Sequence, residues 1–230
     1  MSTRLSLRAL GLAAGLGLTA LPAAATTISV ETWSAGAYSD AIAGWAPLTV
    51  ETFEGFASGE IGGPLDTAVG SITTLGGTGT GGSVTGTGTQ LAVRDAPNYG
   101  RVNTTADGST FLDSNDTLGM LWNVSLEGGT MFNRIAFSIS DVADQGATLE
   151  ILADDSVLTT MLGQTNGIVD LVTITFGSLV SSAEIRLSNS RTNDGFAIDD
   201  IAVGAVPLPA GGLLLLTGLG GLALARRKRG

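Results

Sequence analysis

The groups in this chain that could do chemistry are almost all carboxylates. Its 230 residues hold 21 Asp and Glu against 11 Lys and Arg, with no His and no Cys. Without imidazole or thiol there is no Ser-His-Asp or Cys-His nucleophile, no His- or Cys-ligated zinc and no imidazole switch near neutral pH. The catalytic options left are a carboxyl pair flanking a glycosidic bond, about 5–9.5 Å apart, and a rare serine arrangement that lacks His. Asp154 with Asp155, and Asp141 with Asp144, stand in turn-like stretches, but nothing in the sequence singles out one pair among so many acids. The prior is therefore against an enzyme. Aromatics are sparse. Trp45 and Trp122 read as core, and Tyr99, set among Asp95, Asn98 and Arg101, is the ring to consider for stacking on a sugar, with packing in its own turn as the alternative.

The elements that must position these groups read as β. Apolar runs are short and are separated by turn signals such as Asp107-Gly108, Glu127-Gly128-Gly129, Asn166-Gly167 and Asp194-Gly195. Strands are expected over residues 48–53, 89–94, 120–124, 132–139, 148–152, 169–176, 183–187 and 196–203, with a short helix within 35–45. Ala183, Ile185 and Leu187 share one face, opposite Glu184, Arg186 and Ser188. The expected fold is all-β, an antiparallel sandwich or jelly roll of about 180 residues, long enough for one core without disulfides. Residues 76–88 are nearly all Gly and Thr and read as a surface loop; they lack the Lys-Ser/Thr of a phosphate loop.

Both ends read as signals rather than fold. Arg4 and Arg8, an apolar run over 9–21 and Ala23-Ala24-Ala25 form a secretory signal peptide over 1–25, with cleavage expected between Ala25 and Thr26. At the other end, residues 206–230 run Val206-Pro207-Leu208-Pro209-Ala210, an uncharged Gly/Leu stretch to Ala225, then Arg226-Arg227-Lys228-Arg229. Sixteen uncharged residues in a helix span roughly 24 Å, a marginal membrane crossing, and the basic end stays cytoplasmic by the positive-inside rule. The two prolines keep the peptide before it extended and accessible. Setting the ends aside, residues 26–205 keep five arginines and all 21 acids, a formal charge of −16. Such a surface repels nucleic acid and suits divalent cations or neutral polysaccharide.

The C-terminal pentapeptide, apolar helix and basic stop together resemble the VPLPA variant of the PEP-CTERM sorting signal of Gram-negative bacteria. That resemblance implies recognition by an exosortase, a membrane-embedded protease or transpeptidase. It also implies an inner-membrane-anchored precursor and a final location at the cell surface, outer envelope or exopolysaccharide matrix of a biofilm. A plain tail anchor without processing is the alternative.

Within the domain, Val50-Glu51-Thr52-Phe53-Glu54-Gly55-Phe56 and Asp194-Gly195-Phe196-Ala197-Ile198-Asp199-Asp200-Ile201 resemble the first and last strands of jelly-roll carbohydrate-binding and adhesion domains. In those domains the two strands lie side by side. By that resemblance Glu54 (or Glu51) and Asp200 (or Asp199) are candidate ligands of a structural calcium ion, with carbonyls completing an oxygen shell. On a regular strand Asp199 and Asp200 would face opposite ways, so one side chain at most would serve a given ion. The expected function is an exported, non-enzymatic surface or matrix protein. A carbohydrate-binding module for extracellular polysaccharide and a matrix glycan hydrolase are the alternatives.

Overall fold

A computed structural model describes residues 25–77, 90–115, 117–142, 148–153, 155–159, 167–190 and 195–206. The signal peptide before Ala25, most of the Gly/Thr segment, Asp144, Asp154, and the tail from Pro207 with Leu208, Pro209, Ala210 and the basic stop lie outside them.

The chain is an antiparallel β-sandwich. The larger sheet contains β1 (Thr27–Thr32), β2 (Leu48–Glu51), β3 (Gly59–Glu60), β6 (Ala92–Arg94), β7 (Phe111–Asp113), β9 (Phe132–Ser140), β12 (Val169–Val180) and β14 (Ala197–Gly204), in the order β1-β12-β9-β14-β7-β6-β3, with β2 also on β14. The smaller sheet contains β4 (Leu65–Thr67), β5 (Gly70–Thr74), β8 (Gly119–Ser125), β10 (Leu149–Ala153), β11 (Ser156–Thr159) and β13 (Ser182–Asn189), in the order β11-β10-β13-β8-β5-β4. Among the described residues one α-helix, α1 (Ala35–Ile42), starts on Ser34, whose hydroxyl accepts the Ala37 N–H at 2.9 Å.

Alternation sets the core. Ala183, Ile185 and Leu187 on β13 point inward between exposed Glu184 and Arg186, and Ile135, Phe137 and Ile139 on β9 meet them from the other sheet. Trp122 joins the layers: its ring sits edge-on to Phe137 with centroids 6.3 Å apart, and its indole N–H donates to the Val69 carbonyl at 3.0 Å. That partner satisfies the one polar atom a buried Trp brings with it. Met131 precedes the strand and is 46% exposed, whereas Phe132 is buried, because β12 bulges between Thr175 and Val180 and shifts the register there.

The outer face of the larger sheet is roofed. Ala136, Leu171 and Ala202 pack under Trp45, Trp33, Ala37, Tyr38, Ala41 and Ile42. β14 is consequently buried at all eight positions.

Candidate functional site

The early and late segments do lie side by side, with Glu51 opposite Ile201 and Leu48 opposite Gly204. The flank of β14 away from β9 is shared. Ala197 and Ile198 pair with β7, and Ile201–Gly204 with β2. Asp199 and Asp200 occupy the interval where β14 changes partner.

The expectation that these two acids face opposite ways is corrected. Asp200 has φ +47° and the pairing with β9 shifts register between Asp199 and Ala202, so a bulge turns both carboxylates to one segment. Asp199 Oδ2 accepts the Thr104 and Thr105 N–H groups at 2.7 and 3.1 Å. Asp200 accepts the Thr104 and Thr105 hydroxyls at 2.9 and 2.7 Å. The segment is tied to β9 as well, through Thr104 Oγ1 and Ser138 Oγ at 2.7 Å and the Val102 N–H to Ser140 Oγ at 3.2 Å. Burial pushes Asp199 up to about 7, with the Asp200 charge adding to it, against the opposing pull of the amide donors. Burial also raises the Tyr38 hydroxyl, helped by Asp200 and Asp199, and among the described residues that hydroxyl has no hydrogen-bond partner.

Glu54 holds the other end of the same segment. Its Oε1 accepts the Ser109 and Thr110 N–H groups, both at 2.8 Å, and the Asn103 amide at 3.2 Å. Desolvation, the largest single influence, raises its carboxyl, but the donors together outweigh it and keep the group below the usual range. A Cβ at Gly108 would lie 2.4 Å from Glu54 Oε1, so the approach requires glycine. Glu51 is spent on two turns, accepting the Phe53 N–H of its own at 2.8 Å and the Ala68 N–H between β4 and β5 at 3.2 Å. A cation at Glu54 or Asp200 would thus compete with donors already in place. Among the described residues no three acidic side chains come together as a metal cluster.

A second polar cluster was not anticipated from the sequence. Asp113 is fully buried and bonds Arg94 Nε and Arg101 Nη1, each at 3.1 Å, while Arg101 Nε lies 3.6 Å from Asp141. Arg94 also donates to Asn115 Oδ1 at 2.6 Å. A Cβ at Gly195 would stand 2.7 Å from the Arg101 guanidinium, so β14's lead-in presses directly on it. The sequence clue is thrift. Only five arginines serve a domain of −16, and two of them meet one aspartate.

This cluster anchors Tyr99. Asn98 and Arg101 exchange backbone hydrogen bonds of 3.0 and 2.9 Å, leaving Tyr99 (φ +48°) and Gly100 (φ +97°) as a two-residue turn. A bulky side chain at positive φ is strained and persists where its surroundings over-determine it. Tyr99 is 62% exposed, the most exposed large hydrophobic residue of the described chain. Trp45 and Trp122 are buried as expected. Of the acids weighed for hydrolysis, Asp141 is buried against Arg101, Asp155 is exposed in the β10–β11 turn, and Asp144 and Asp154 lie outside the described residues.

No known protein family matches the chain and no curated protein matches it. Among solved structures it is similar to a cleaved adhesin domain of Lys-gingipain from Porphyromonas gingivalis, at 12% identity and a TM-score of 0.39, over 70% of this chain and 99% of that one. It is also similar to the CBM22-1 xylan-binding domain of Paenibacillus barcinonensis Xyn10C, at 14% identity and 0.36, over 70% and 95%. A third match is the CBM51 domain from Clostridium perfringens in complex with methyl-galactose, at 12% and 0.32, over 67% and 99%. At these scores no residue, ligand or activity passes from them to this chain.

Proposed function

We propose that residues 26–205 form an exported, non-catalytic domain of the cell surface or extracellular matrix that holds a polysaccharide. In this reading the signal peptide exports it, and the VPLPA-type tail delivers it through an exosortase-like membrane protease. The observation that carries the polysaccharide reading is Tyr99, a strained and exposed ring on a turn whose base is clamped by Arg101 to Asp113 and Asp141. A rigid ring face offers apolar area to the C–H face of a pyranose without ordering a loop on binding. Asn98 beside it, and Asp95 hydrogen-bonded by Ser58 at 3.0 Å, supply polar groups for sugar hydroxyls. The −16 charge favours neutral or amino sugars over uronic-acid or sulfated polymers. The acids favour a non-catalytic reading because Asp113, Asp141, Asp199 and Asp200 are buried against protein donors.

The test is a glycan array probed with the purified domain and with Tyr99→Ala. The expected result is binding to neutral or amino-sugar chains that falls at least tenfold in the variant while the melting midpoint holds. An empty array, or hits indifferent to the substitution, overturns the reading.

A further inference from the structure

The strand directions gather both ends of the described chain at one end of the sandwich. β14 leaves there at Gly204, opposite Leu48 and Arg134. β1 enters there, with Thr27 opposite Thr175, and the Thr26 carbonyl accepts the Ser156 hydroxyl at 2.6 Å. The chain stays fixed to the fold up to Val206, whose N–H donates to Asn133 Oδ1 at 3.0 Å and whose side chain packs by the Trp45 cluster.

Three of the exposed large aliphatics stand at this same end. Leu48 opens β2, Met131 precedes β9, and Leu179 is the penultimate residue of β12; they are 41%, 46% and 44% exposed. Single exposed apolar residues need no explanation, but a group ringing the point where the chain exits does. Exposed Glu127, Asp66 and Asp155 accompany them, and Arg134 there is half-buried and donates to the Thr175 hydroxyl, so the exposed charge at this end does not attract anionic lipid.

Five Cα steps separate Val206 from Gly211, where the uncharged run begins. At about 3.3–3.6 Å per residue that tether reaches at most roughly 18 Å. β14 alone is about 23 Å long. The far end, with Tyr99 and Leu118, cannot turn to a surface in which residues 211–225 are embedded.

We propose that the sandwich end bearing Leu48, Met131, Leu179 and Val206 rests on the outer surface of the lipid bilayer while the tail is attached. The inference rests on the reading of 211–225 as a membrane segment. Three half-exposed aliphatics do not hold a domain of −16 to a leaflet unaided; the short tether supplies the effective concentration, so the contact ends when the tail is cut. Until then Tyr99 points away from the membrane.

The chain has no cysteine, so single-cysteine variants L48C, M131C, L179C, V30C, L118C and L215C of the full chain can each carry one bimane label. They are reconstituted in phosphatidylethanolamine–phosphatidylglycerol vesicles containing a headgroup-nitroxide lipid. The expected result is quenching of L215C, and quenching of L48C, M131C and L179C at least twofold above that of V30C and L118C. Equal or reversed quenching among the domain labels, with L215C quenched, overturns the proposed face and leaves the membrane reading standing. An unquenched L215C overturns both.

Discussion

Glu54 Oε1 accepts the Thr110 backbone N–H at 2.8 Å, and this contact closes a gap in the larger sheet. Glu54 follows β2, Thr110 precedes β7, and β14 deserts one of these strands for the other at Asp199 and Asp200. The carboxylate replaces the ladder bonds that two diverging strands cannot make to each other. Glu54→Ala leaves the Ser109 and Thr110 N–H groups without their acceptor, at a cost of about 1–2 kcal/mol. Amide exchange at those two residues should quicken while β9 and β12 stay protected. Unchanged exchange there would contradict the role.

Asp199 makes stability fall as pH rises. Its folded pKa, about 7, lies above the 3.8 of an unperturbed aspartate, so the folded state binds the extra proton between about pH 4 and 7. Stability from this group is complete below about pH 4 and is lost as pH climbs through 7. The shift corresponds to at most a few kcal/mol. Asp199→Asn, which keeps an oxygen for Thr104 and Thr105, should flatten the decline of the melting midpoint across that interval. A variant with the same slope as the parent refutes the assignment.

Arg101 is the keystone of the buried ion cluster. Arg101→Met takes the shared cation away from buried Asp113 and Asp141, leaving Asp113 to Arg94, at a cost of about 3 kcal/mol by urea denaturation. Gly195→Ala, which drives a methyl at the same guanidinium, should act in the same direction. A loss below about 1 kcal/mol for Arg101→Met would show the cluster to be wet.

Calcium is tested by melting with and without chelator. Glu54, Asp199 and Asp200 are already engaged by N–H and O–H donors, so the midpoint should move by no more than about 1 °C with either addition. A rise of several degrees with calcium, abolished by Glu54→Gln, would instead place an ion on these side chains.

Replacing Pro207, Leu208 and Pro209 with alanine should leave the tail attached and the product in the membrane fraction. Mass spectrometry of the exported parent protein should find the tail gone. An intact tail in the parent contradicts processing.

Strand alternation made much of the fold legible. β13 reads directly from its period, β14 from a short apolar run around two acids, and the 35–45 helix appears as α1. Short elements such as β3, β4 and β7 escaped because two or three residues carry no period. β1 escaped because the edge strand Thr27–Thr32 is almost wholly exposed. At the site, Glu54 and the Asp199–Asp200 pair were found by their segments' likeness to other domains. Their partner, the Thr104–Thr105 segment, was not, since two threonines in a loop announce nothing until a bulge turns two carboxylates toward them. The Arg94–Asp113–Arg101 cluster was illegible for the same reason: it joins residues through space, and no spacing encodes it.

The roof over the larger sheet has a dynamic consequence. Because α1 and the 102–105 segment lie on strands that already face a core beneath, the molecule has an order in which it can come apart. The roof lifts first, exposing Ala136, Leu171 and Ala202, and only then can β14 exchange its amides or meet a protease. The strand that carries the tail is the last to let go, so a pull on that tail would meet the most deeply seated part of the protein.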